Sequence, residues 1–165
     1  MMKLDLSLTS QKRSWLVLGS VLYLLALFLM CWTPQLSDGL PTPGIQRFGR
    51  LVVLLVPFNS LVNLGQVTSG LQLAKVILQN IANILLLLPL VYQLIWLFPD
   101  LRKVKRVLRL GFYLSLGIEL GQLLLDYLWD FNRVFELDDL WTNTLGAYLA
   151  LGLYRKLTAK DIEGQ

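Results

Sequence analysis

Long, nearly unbroken apolar runs constrain this chain more than any other feature. They cover residues 14–33, 76–98 and 107–125, with a shorter fourth run over about 140–154. About 20 apolar residues in a helix cross the hydrocarbon of a bilayer. With no water there, each backbone N–H and C=O must be satisfied inside its own segment, and for continuous apolar runs that means helices. The second run extends back to residue 72 if Lys75 snorkels to the interface. The chain therefore reads as one all-α integral membrane domain over 1–165, with spans at about 14–33, 72–98, 107–125 and 139–155.

Composition agrees. The 165 residues are 55% hydrophobic and 16% charged, and mean hydropathy is +0.58. That length holds one compact bundle and no separate soluble domain. Cys31 is the single cysteine, so no internal disulfide can form, and there is no histidine. The commonest general base and metal ligand is thus absent, which excludes Ser-His-Asp triads and histidine-based zinc protease motifs. The first run follows Lys12-Arg13, is too long for a signal-peptide core, and ends at Cys31-Trp32-Thr33-Pro34 without a small-residue cleavage site. It reads as an uncleaved signal anchor.

Charge sets the expected orientation. Lys3, Lys12, Arg13, Arg102, Lys103, Lys105, Arg106, Arg109, Arg155, Lys156 and Lys160 fall on one side of the four spans, 11 of the 15 cations. By the positive-inside rule that side is cytoplasmic, with both termini inside. The net charge of +4 is then a topology signal. The cations lie beside spans and belong to no nucleic-acid-binding motif, so nucleic acid is not an expected partner. The loop over 34–70 is expected outside. It opens with turn chemistry, Ser37-Asp38-Gly39 and Pro41-Thr42-Pro43-Gly44. It then carries a short apolar run over 51–56, followed by Pro57-Phe58-Asn59. That run is short for a span, and residues 51–64 read as a re-entrant or interfacial segment. The five tryptophans, Trp15, Trp32, Trp96, Trp129 and Trp141, lie near span ends and read as interfacial anchors.

Within the third run stands Glu119. Ser115, Glu119, Gln122 and Asp126 are spaced four, three and four apart, so a helix places them on one narrow face. An ionisable side chain in a span is costly and turns toward protein or a water-filled cavity. With the expected topology, Gln79, Asn80 and Asn83 fall in the outer half of span two, and Glu119 and Gln122 in that of span three. Asp138, Asp139 and Asn143 open span four, and Arg47, Arg50 and Arg133 lie in outer loops. Three helices and two loops thus bring carboxylates, amides and guanidinium groups to one depth. Plainer readings stand beside this one. Asn80 and Asn83 suit interhelical hydrogen bonding, and Glu119 suits a protonated structural partner of Gln122 and Asn143. Asp126, Asp130 and Glu136 suit a solvated acidic loop, Asp138 a helix N-cap, and Cys31 inert packing. Gly117 and Gly121 offer close helix contact, as does the small face Gly146 and Ala150 on span four. Pro89 interrupts span two.

Four motifs resemble those of VanZ-like membrane proteins. Arg133-Val134-Phe135-Glu136-Leu137-Asp138-Asp139-Leu140-Trp141-Thr142-Asn143-Thr144-Leu145-Gly146 resembles the family's C-terminal signature of an Arg, acids ending in an Asp pair, then Asn and Gly. Asn80-Ile81-Ala82-Asn83-Ile84-Leu85-Leu86-Leu87-Leu88-Pro89-Leu90 resembles its apolar helix ending in proline. Ser115-Leu116-Gly117-Ile118-Glu119-Leu120-Gly121-Gln122 and Val56-Pro57-Phe58-Asn59-Ser60-Leu61 resemble two more. The match covers about residues 45–155 in the family's order. Glu136, Leu54 and Val91 depart from the usual Asp, Asn and Gly. The resemblance implies a bacterial cell-membrane protein linked to low-level resistance to lipid-bearing glycopeptides such as teicoplanin. It brings location and partners rather than a reaction.

Three function classes follow. In the first, an outward pocket binds or remodels a lipid-linked ligand or membrane lipid. Arg133 with Arg47 or Arg50 holds an anionic group, while Glu119, Asp139, Asn143, Gln122, Asn80, Asn83 and Asp138 take its polar groups. In the second, an intramembrane enzyme works on a lipid or cell-wall-precursor head group. Glu119 is the candidate base and Asp139 its candidate partner. No cofactor is expected there unless Asp138 and Asp139 hold a divalent cation. The third, proton-coupled transport, needs more than four spans or a dimer, and no inverted repeat is visible.

Overall fold

The computed structural model describes residues 4–35, 43–63, 65 and 69–163. Helices form over each of the four apolar runs: α1 (Ser10–Cys31), α3 (Gly70–Leu97), α4 (Val104–Trp129) and α5 (Leu137–Glu163). Local chemistry marks their ends. Thr9 caps α1 by accepting the Lys12 N–H at 3.3 Å, and Ser69 caps α3 by accepting that of Gln72 at 3.2 Å. Pro99 opens a short 3-10 turn, Pro99–Arg102, just past α3. Asp130 terminates α4 in the left-handed conformation, φ 57°. α1, α3 and α4 are each long and apolar enough to cross a membrane. α5 matches them in length, but its first turns carry Asp138, Asp139, Thr142 and Asn143.

α5 packs along both α3 and α4, and α1 lies mainly on α3. Small residues set the separations. Gly146 of α5 faces the Ile84 carbonyl of α3, and a Cβ there would collide with that backbone; one at Gly111 would lie 2.7 Å from the Ala147 Cβ. The apolar core includes Leu27, Leu87, Leu90, Val91, Ile95, Val107, Ala150 and Leu151. Most of these residues lie away from the polar end of the bundle. The N-terminal segment is tied to the α3–α4 connection: the Asp5 N–H donates to Leu97 O at 2.8 Å, and Arg102 pairs with Asp5 at 2.5 Å. Gly117 faces open space, while Gly121 lies under the Trp32 ring of α1. The expected Gly-x-x-x-Gly contact is thus made by one glycine.

The all-α description needs correction. Residues 51–64, expected as a re-entrant or interfacial segment, include a β-strand, β2 (Leu51–Leu54), with Val52, Val53 and Leu54 buried. β2 pairs antiparallel with β1 (Gln46–Phe48) and parallel with β3 (Val134–Glu136), in register Val52–Val134, Val53–Phe135 and Leu54–Glu136. Gly49, at φ +63°, makes the turn between β1 and β2. A four-residue helix, α2 (Asn59–Val62), follows Pro57-Phe58. The parallel partner lies some eighty residues downstream, so no local pattern could announce this three-stranded sheet.

Candidate functional site

The polar stripe of α4 is a seam to which the other elements attach in turn. Ser115, Glu119 and Asp126 are 0%, 1% and 0% exposed, and Gln122 is also buried. Ser115 Oγ donates to the Asp139 carbonyl at 3.0 Å and accepts from Asn143 Nδ2 at 2.9 Å, joining α4 to α5. Glu119 Oε2 accepts the backbone N–H of Glu136 at 3.0 Å, joining α4 to β3. Gln122 Nε2 donates to Cys31 O at 3.0 Å, which holds the end of α1. Asp126 Oδ1 accepts the Arg133 N–H at 2.8 Å and closes the loop before β3.

α3 completes the cluster. Gln79 Nε2 donates to Glu136 Oε1 at 2.6 Å, and Asn83 Nδ2 donates to Asp139 Oδ1 at 2.5 Å. Asn80 turns to its own helix, donating to Val76 O at 2.9 Å. Three carboxyl groups, on Glu119, Glu136 and Asp139, are therefore gathered between α3, α4 and α5. Gln79, Asn83 and the Glu136 N–H donate to them. The Asn143 Oδ1 is buried and has no hydrogen-bond partner among the described residues. Burial pushes the Glu136 carboxyl up to about 7; the charge of Asp138 adds to the rise, while the Gln79 hydrogen bond and the Lys75 charge oppose it.

The remaining sequence candidates sit around this cluster. Arg133 lies on the end of α1: Nε donates to Thr33 O at 2.8 Å and Nη2 to Met30 O at 2.6 Å. It satisfies carbonyls that a helix C-terminus leaves open, where a cation is also favoured by the helix dipole. Arg47 donates to Asn132 Oδ1 at 3.2 Å, and Arg50 to Leu128 O at 3.3 Å. These arginines ring the sheet end of the bundle, with both Arg47 and Arg50 exposed. Asp138 Oδ1 accepts from the Phe58 N–H at 2.7 Å and from Trp141 Nε1 at 3.0 Å. This bond docks the Pro57-Phe58 segment on the start of α5, with the Phe58 and Trp141 rings 5.6 Å apart. Asp138 and Asp139 thus serve different partners. Among the described residues no group of three or more His, Cys, Asp or Glu is placed to hold a metal ion.

Glu136 is the member that sequence reasoning misplaced. It reads as part of a solvated loop together with Asp126, yet both turn inward, and of that set Asp130 is the exposed one. Gln79 was legible, since it lies one turn from Asn83 on the same helix face. Its place in the Arg133–Gly146 motif was its one signal in the sequence; β3 and its pairing to β2 aim it inward.

Apolar helices of spanning length around a buried polar cluster define a helical membrane protein. Residues 20–159 match the model of the VanZ/LLP1 family, and the chain belongs to that family. The match spans the residues of the cluster and bears out the resemblance in the sequence motifs. No curated protein and no solved structure matches the chain.

Proposed function

We propose that this is a multi-pass protein of the bacterial cell membrane, with four spans, both termini in the cytoplasm and the sheet end outside. Its outward polar pocket binds or remodels a lipid-linked ligand and so gives resistance to lipophilic glycopeptide antibiotics. The buried carboxyl cluster carries the reading. Glu119, Glu136, Asp139 and the unpaired Asn143 Oδ1 match a head group that brings N–H or O–H donors. Ile77, Leu78, Ile81 and Leu85 of α3 are exposed beside it and suit an acyl chain. The arginines at the rim suit approach of an anionic group.

The test is direct titration. The protein in lipid nanodiscs is titrated with teicoplanin while tryptophan fluorescence is followed. Saturable binding by the parent and none by folded Glu119→Gln supports the reading. Equal binding by both proteins sinks it. A second reading, an intramembrane enzyme acting on a lipid or cell-wall-precursor head group, is favoured by the closeness of the three carboxyl groups. Turnover of a lipid-linked precursor that stops on chelation and returns with magnesium would favour it over binding.

A further inference from the structure

The opposite end of the bundle carries a separate feature. Arg13, Ser14, Val17, Leu18 and Val21 line a shallow furrow on the exposed side of α1. They recur at three- and four-residue steps, so they form one stripe along the helix. From Arg13 to Val21 the stripe runs about 12 Å. Val17, Leu18 and Val21 are all exposed.

Only the head of this furrow is charged. Arg13 Nη2 donates to Leu8 O at 3.3 Å, and Nε is buried with no hydrogen-bond partner among the described residues. A guanidinium offers five donors in a planar fork suited to phosphate. The neighbouring Lys12 lies 4.3 Å from the centroid of the Trp96 ring, which fixes a second positive charge at the same depth. Ser14 is turned to its own helix, donating to Ser10 O at 3.1 Å.

We propose that this furrow is a binding site for one anionic phospholipid. The phosphate lies on the Arg13 guanidinium and one acyl chain along Val17, Leu18 and Val21. Charge complementarity selects the occupant: a cation heads the furrow and, among the described residues, no carboxylate lines it. Basic residues beside a membrane attract anionic lipid at its surface, and the apolar wall below supplies the contact that a diffuse charge effect lacks. The site is independent of the carboxyl cluster.

Native mass spectrometry tests it on the full chain, released from vesicles of equal phosphatidylglycerol and phosphatidylethanolamine. The parent is expected to retain phosphatidylglycerol preferentially. Arg13→Gln should lower that retention about fivefold, with helix content and monodispersity unchanged. Val17→Trp fills the furrow while keeping the charge, and should also displace the lipid. Lys103→Gln, an exposed cation at the same end, should retain it. Equal retention of the two lipids by the parent overturns the site, as does retention by Arg13→Gln or Val17→Trp. A loss in Lys103→Gln as large as in Arg13→Gln would reduce it to general positive charge and overturn it too.

Discussion

Glu119 on α4 accepts the backbone N–H of Glu136, the last residue of β3, at 3.0 Å. This bond ties a spanning helix to the small sheet and brings two carboxyl groups from distant parts of the chain side by side. A glutamine at position 119 keeps an acceptor for that N–H and gains donors. Glu119→Gln is therefore expected at normal membrane levels, with normal thermal stability, yet without resistance in a teicoplanin susceptibility assay. Glu119→Leu should lose both, because the Glu136 N–H is left buried and unpaired at a cost of about 1–3 kcal/mol. A fully active glutamine variant would make Glu119 purely structural.

Arg133 spans two carbonyls at the C-terminal end of α1, Met30 O in its last turn and Thr33 O just past it. A lysine cannot reproduce that fork. Arg133→Lys should lose about one hydrogen bond, roughly 1 kcal/mol, and Arg133→Ala more. Thermal unfolding in detergent reads the difference. A lysine variant with unchanged stability would show that the α1 contact contributes nothing measurable.

Gly146 has no room for a side chain against Ile84. Gly146→Ala should force α3 and α5 apart and cost about 1–3 kcal/mol, as overpacking commonly does. Gly117→Ala, which meets open space, should be nearly neutral and serves as the control. Both are checked by the midpoint of thermal unfolding.

The Glu136 carboxyl is raised from 4.5 to about 7, so between those values the folded state holds a proton that the unfolded state has released. The Glu136 contribution to stability should therefore be greatest at about pH 4.5 and below, fall as pH rises toward 7, and level off above it. Glu136→Gln should flatten this slope. Unfolding midpoints of the detergent-solubilised parent and variant from pH 4.5 to 8 check it, and parallel curves would remove Glu136 as the source.

Topology is tested by thiol labelling in intact cells with an impermeant reagent. With Cys31 replaced, a single cysteine at Asn132 should react and one at Ser7 should not. The reverse pattern would turn the protein over in the membrane.

The apolar runs by themselves determined where helices form, because lipid leaves the backbone no other partner than its own helix. Spacing alone put Ser115, Glu119, Gln122 and Asp126 on one face, and the cost of burying them in lipid turned that face inward. The motifs in order were enough to indicate the family. Tertiary structure decided what each polar group meets. β2 finds its parallel partner β3 some eighty residues downstream, and that pairing, invisible to any local window, carries Glu136 into the cluster beside Glu119. Arg133 reads in sequence as a ligand for anions, yet in the fold it lies on the open carbonyls of α1. Which carbonyl comes within reach of a guanidinium depends on how helices cross, and helix crossings follow from side-chain packing over many residues rather than from local sequence.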